Sequence, residues 1–233
     1  MFQYYLLGSI VLPGILLALY AQYKVNSTYN KYAETFSNQG KTAEQIARIF
    51  LDTAGLHDVY ITRTRGHLTD YYSHRKKIIA LSENVYDSNS ISAIGVACHE
   101  VGHALQYKSG YLPIKIRNLI IPICNFANNA LWILIVLGSI FFYSSLGLTF
   151  LWIGAGIFFL SVLLNLITLP VEYNASKRAV QLLSESNVLH EEEVNCVKQV
   201  LNSAALTYVA SFVVSLLNLL RLLLLIMSRR RKD

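Results

Sequence analysis

The 233-residue chain is short of charge, proline and cysteine, and each shortage excludes something. Charged residues make up 15% against 54% hydrophobic, whereas an ordinary soluble domain carries about 25% charge. A wholly water-exposed globule is therefore a poor fit. Three cysteines, an odd number, exclude a fully paired disulfide framework, and Cys124 sits inside an apolar run. Four prolines and twelve glycines with no repeat exclude a collagen-like or low-complexity chain. The formal charge is +6, but the basic residues form no motif interleaved with aromatics, so no nucleic-acid partner is expected.

The missing charge is concentrated in particular places. Residues 1–23 and 118–171 carry none, nor do 199–220, and Leu222–Met227 continue that third run after Arg221. Each run reaches the roughly 20 residues an α-helix needs to cross a bilayer. The 118–171 run is long enough for two crossings, with Tyr143-Ser144-Ser145-Leu146-Gly147 as the turn between them. Four apolar helices result. No Lys or Arg precedes the first run and Ala18-Leu19-Tyr20-Ala21 is a poor cleavage site, so it reads as a retained anchor rather than a signal peptide.

The expected fold is mainly α and integral to a membrane, with a small α+β domain. Its parts are an N-terminal anchor (1–23), a first polar region (24–117), a transmembrane hairpin (118–169), a polar helical region (170–203), a C-terminal apolar helix (204–227) and a basic tail (228–233). The first polar region holds 12 of the 20 Lys and Arg residues and 8 of the 14 acids. Within it, Thr42–Ala54 reads as a helix with Thr42 and Gln45 at capping-box spacing and Gly55 beyond its end. Val59–Thr64 and Lys76–Leu81 read as strands. From Ser90 the apolar positions Ile91, Ile94, Ala97, Val101 and Leu105 recur at helical spacing as far as Gly110. In the second polar region two helices should break around Ser186-Asn187.

On the Ser90–Gly110 helix stands His99-Glu100-Val101-Gly102-His103, the H-E-x-x-H pattern. Two histidines four residues apart share one helical face and can hold one metal ion. Glu100 lies about 100° around the helix, which suits a carboxylate taking a proton from water rather than a ligand. A histidine pair without metal would more often face solvent, whereas Ala97, Cys98, Val101 and Ala104 flank this one. A catalytic zinc site normally has three protein ligands. Glu172 is the best third candidate, because it follows the apolar hairpin, which returns the chain to the side of the bilayer it left. Its competing reading is an ordinary interfacial carboxylate. His190 reads as a surface residue and Glu191–Glu193 as a solvated helix start.

The chain resembles the YugP-like neutral zinc metallopeptidases of bacterial membranes, within the broader gluzincin class. The resemblance rests on Gly66-His67-Leu68-Thr69-Asp70, Leu81-Ser82-Glu83-Asn84-Val85-Tyr86, the stretch from Ser90 to Gln106, and Pro170-Val171-Glu172-Tyr173-Asn174-Ala175-Ser176. It implies that 24–117 is a zincin-like catalytic domain carrying the H-E-x-x-H helix, with Zn²⁺ as cofactor, His99, His103 and Glu172 as its ligands, and Glu100 as general base. Two departures stand out. After Leu68-Thr69-Asp70 the family typically reads His-Tyr-Asp-Pro, where this chain has Tyr71-Tyr72-Ser73-His74. Four residues after the third ligand, related enzymes often carry an Asp that orients a zinc-bound histidine, and here the residue is Ser176.

The function expected is peptide-bond hydrolysis by a membrane-bound zinc endopeptidase. Its partners would be a peptide or protein substrate, membrane proteins included, and the lipid bilayer. The alternative is an inert zinc-stabilised scaffold, for which Cys98 is the nearest fourth ligand. A channel is disfavoured because Arg221 is the single charge within an apolar helix. By analogy with zincins, the strand at Lys76–Leu81 is expected to pair with substrate at its free edge, and Tyr71, His67 and His74 are candidate oxyanion donors. Lys115, Arg117, Lys177 and Arg178 place the site in the cytoplasm of a multi-pass cell-membrane protein by the positive-inside rule. Arg229–Lys232 argue the opposite unless the last helix lies along the interface.

Overall fold

The computed structural model describes residues 8–230, without the side chains at 229 and 230. The elements are α1 (Leu12–Ala33), α2 (Ala43–Thr53), β1 (Tyr60–Thr64), β2 (Tyr71–Ser73), β3 (Ile78–Ser82), α3 (Glu83–Tyr86), α4 (Ile91–Lys108), α5 (Leu112–Ile140), α6 (Ser145–Ser186) and α7 (Glu191–Arg230). They form two compact units. One comprises Gln22–Leu112 with Pro170–Leu206, the other Met1–Ala21, Pro113–Leu169 and Thr207–Asp233.

In the first unit, α2 turns Ala43, Ile46, Ala47, Phe50 and Leu51 inward, the 3–4 spacing of one buried helical face. Thr42 caps it: its hydroxyl accepts from the Gln45 amide, and the Gln45 side chain accepts from the Thr42 amide in return. Gly55, at φ 65°, ends the helix in the left-handed conformation that glycine adopts without strain. The sheet has the order β1-β3-β2, with β1 parallel and β2 antiparallel to β3. Its central strand buries Ile79, Ala80, Leu81 and Ser82 in succession, as a strand covered on both faces must. The expected substrate-pairing strand therefore has no free edge, because β1 and β2 occupy both sides of β3. The free edges belong to β1 and β2.

Helix α4 begins at the Ser90 cap, whose hydroxyl accepts from the Ala93 amide. It ends before Gly110, at φ 69°. Ile91, Ile94, Ala97, Cys98 and Val101 join the core formed by α2, β3 and the parts of α6 and α7 around Ala179, Leu183, Val197 and Leu201. Helix α1 runs ten residues beyond the expected end of the anchor. Tyr29 and Tyr32 are buried, and the Tyr29 carbonyl accepts from the Ser92 hydroxyl at 2.7 Å, which extends the helix into polar sequence.

The second unit is built on apolar helix. The turn at 141–144 joins α5 to α6, two residues earlier than the expected Tyr143–Gly147, of which Ser145–Gly147 open α6. Leu151, Ala155, Leu222 and Ile226 form a small core. Asn128 with Ser161 (3.2 Å) and Asn165 with Ser215 (2.8 Å) tie helices by the polar pairs that hold membrane helices together. Among the described residues three helices, α5, α6 and α7, are long and apolar enough to cross a membrane. The fourth expected crossing rests on 1–23, of which 1–7 lie outside the described residues, and α1 is not among the three. The tail at 231–233 also lies outside them. Phe126, Trp132 and Leu119 on α5 are more than 70% exposed, which suits a lipid-facing surface. Helix α6 gives its residues up to Leu169 to this unit and those from Pro170 to the other.

Candidate metal centre

Two residues of α4 and one of α6 meet within the first unit. The ligand atoms of His99, His103 and Glu172 lie within 4.8 Å of one another. Glu172 Oε2 stands 3.2 Å from His99 Nε2 and 3.5 Å from His103 Nε2. The imidazoles sit edge to face, 4.7 Å between centroids at 86°. Among the described residues this is the one group of three or more His, Cys, Asp or Glu side chains able to hold an ion. Glu172 is 2% exposed and His103 8%. A buried carboxylate facing two imidazoles needs a positive charge there.

The outer nitrogens of both rings are held. His99 Nδ1 lies 3.1 Å from Ser176 Oγ, one turn after Glu172 on α6. His103 Nδ1 lies 3.0 Å from Gln106 Oε1. Gln106, fully buried, donates its Nε2 to the Val171 carbonyl at 2.7 Å and to Asn174 Oδ1 at 3.1 Å. A backbone carbonyl only accepts, so the amide orientation of Gln106 is fixed and its oxygen must face His103. His103 therefore carries a proton on Nδ1. In the neutral ring this leaves the Nε2 lone pair aimed at the Glu172 carboxylate, an arrangement that a proton or a metal cation satisfies. Two imidazole nitrogens and one carboxylate oxygen are the donors of three-ligand zinc sites, so the residues fit that metal.

Close approach of the two helices depends on Gly102. A Cβ at that position would stand 2.4 Å from the Ala175 carbonyl oxygen and 3.0 Å from its carbon. Farther along, Arg178 donates to Asn174 Oδ1 (2.8 Å) and to Ser109 Oγ (3.0 Å). It ties α6 to the end of α4.

Glu100 stands beside the cluster, 7% exposed. Burial pushes its carboxyl above the ordinary range. The nearby histidines oppose this, while Glu172 and Asp70 add to it. At His103 burial works against the charged form, but the hydrogen bond to Glu172 and the charges of Glu100 and Glu172 outweigh it, and the ring is held above its usual value. Asp70, raised chiefly by burial, accepts from the Ser82 amide at 2.7 Å and from its hydroxyl at 3.1 Å.

The candidate oxyanion donors are held elsewhere or lack a recorded contact with the cluster. His74 stacks on Tyr107, 3.9 Å between centroids at 6°, and lies 3.3 Å from the Tyr72 hydroxyl. His67 meets Tyr29 edge-on at 5.4 Å, and Tyr71 is 44% exposed on β2. Cys98 is fully buried, its thiol pushed up by burial, and is not part of the cluster. His190 is exposed, as expected, and its amide donates to Glu193 at the start of α7. Gln106 and Asn174 received no role from the sequence, although both lie in the stretches that carry the resemblance. Neutral amides carry no chemical flag, and the available signal was the position of Gln106 three residues after His103, on the same helical face.

A mainly helical chain with membrane-length helices and a buried His-His-Glu group defines a narrow class, and the comparisons agree with it. The chain belongs to the family described as "Putative neutral zinc metallopeptidase", whose model matches residues 7–227. It is 41% identical over 228 residues, 96% of this chain and 98% of the other, to a Bacillus subtilis (strain 168) protein named "Putative membrane protease YugP". No solved structure matches it.

Proposed function

We propose that the protein is a membrane-bound zinc endopeptidase in which His99, His103 and Glu172 hold the metal and Glu100 is the general base. The observation that carries this reading is the His103 lone pair, fixed by Gln106 and aimed at a buried carboxylate. Bound zinc supplies Lewis acidity, acidifying water and polarising a scissile carbonyl. Glu100 takes the proton of the attacking water and passes it to the leaving amine. Its raised affinity for protons suits it to both transfers. Ser176 and Gln106 hold the imidazoles in place, and burial excludes bulk water from the carboxylates.

The substrates are peptide segments of proteins, membrane proteins included, and the catalytic unit faces the cytoplasm of a multi-pass protein. Lys115, Arg117, Lys177 and Arg178 support that side. An inert zinc scaffold is the weaker reading, because structural sites usually close with four protein ligands and the described cluster has three.

The test is zinc per chain and cleavage of fluorescein-labelled casein by detergent-purified protein. The parent should hold one zinc, Glu172→Ala much less, and Glu100→Gln should keep the zinc and lose cleavage by about 10²- to 10⁴-fold. Undiminished cleavage by Glu100→Gln refutes the mechanism. Zinc retained by Glu172→Ala refutes the ligand set.

A further inference from the structure

A second cavity borders Ser176. It has a volume of about 350 Å³ and is lined by Tyr173, Ser176, Lys177 and Val180 of α6 and by Lys198, Leu201 and Asn202 of α7. Val180 and Leu201 contribute apolar surface, Leu201 being 4% exposed. The Lys198 ammonium donates to Asn195 Oδ1 at 3.2 Å. Among the described residues neither lysine forms an ion pair. Two cations, a phenol and an amide thus surround a cavity that supplies no anion of its own.

The positions of these residues along the chain point to the occupant. The uncharged run of α6 ends at residue 171, two residues before Tyr173 and six before Lys177. At 1.5 Å per residue Lys177 lies about 9 Å beyond it along the helix. Helix α7 passes into the apolar unit at Thr207, nine residues or about 14 Å along the helix from Lys198. Both lysines thus stand on the polar side within about 14 Å of the apolar unit, at the outer edge of the layer in which tyrosine is enriched and basic side chains attract anionic lipid. A water-borne anion would have no use for the apolar surface, whereas a lipid brings phosphate and hydrocarbon together.

We infer that this cavity binds the phosphate of an anionic phospholipid headgroup, with Lys177 and Lys198 as its charge partners. The inference does not depend on the peptidase reading, and its test reads lipid rather than cleavage. The full chain is placed in nanodiscs of phosphatidylcholine with a minority of phosphatidylglycerol, then released, and the phosphatidylglycerol it retains is counted by native mass spectrometry. Lys177→Gln with Lys198→Gln should weaken retention about thirtyfold, the effect of two lysines near the surface. The charge-matched pair Lys24→Gln with Lys115→Gln should retain as the parent does, and Lys177→Arg with Lys198→Arg should restore retention. Equal retention by the Lys177→Gln, Lys198→Gln protein overturns the proposal. So does equal retention of phosphatidylcholine, or displacement of the lipid by inorganic phosphate or a polyglutamate peptide at low concentration. The last two would assign the cavity to a free anion or an acidic protein segment.

Discussion

Replacing Gly102 by alanine adds one methyl group and tests how the candidate centre is assembled. The new Cβ would lie 2.4 Å from the Ala175 carbonyl oxygen. Carbon–oxygen contacts settle near about 3.3 Å, so α4 and α6 would have to separate locally by about 0.9 Å. The carbonyl cannot swing aside cheaply, because it belongs to the hydrogen-bond ladder of α6. Alanine favours a helix over glycine by up to about 1 kcal/mol, while overpacking of this kind costs about 1–3 kcal/mol. A net loss of stability follows. The larger consequence is at the cluster, since His99 and His103 flank Gly102 and Glu172 lies three residues before Ala175. Metal–ligand distances tolerate only about 0.2 Å. Gly102→Ala should therefore melt at a lower temperature and purify with little zinc, although it alters none of the proposed ligands. Parent-like zinc content together with a parent-like melting temperature would refute the close-approach reasoning.

Further outcomes follow from the same geometry. Gln106→Ala should lower zinc affinity about 10- to 100-fold by freeing His103, read by competition with a chelator, and parent-like affinity would show that the Gln106 contact does not position the ring. Membrane orientation is read by a maleimide in intact cells, with Cys196→Ser as background. Arg75→Cys should label only after permeabilisation and Ser145→Cys from outside, and external labelling at 75 would reverse the proposed topology.

Much of the first unit was legible because its signals are local. Thr42 and Gln45 announce a cap, Gly55 and Gly110 end helices, and the apolar spacing from Ile91 to Leu105 fixes the face of α4. The His99–His103 pair needs four residues of helix and nothing else. Strand β2 was missed because three residues, Tyr71–Ser73, are too few for alternation to show. With β2 unseen, β3 was given an edge it does not have. The first helix was cut short at residue 23 because hydropathy reports lipid, whereas its later turns are held by burial of Tyr29 and Tyr32. Arg178 could not be placed from sequence, since its partners Asn174 and Ser109 are a turn away and on another helix. Glu172 was reachable only through the hairpin argument and the family resemblance, because it lies 69 positions beyond His103.

That separation also orders events during synthesis. A ribosome that has translated the first 117 residues has made both histidines and Glu100 but not the carboxylate that faces them. The hairpin must be produced before residue 172 emerges. On the proposed reading, a nascent or truncated chain is a protease without its third ligand.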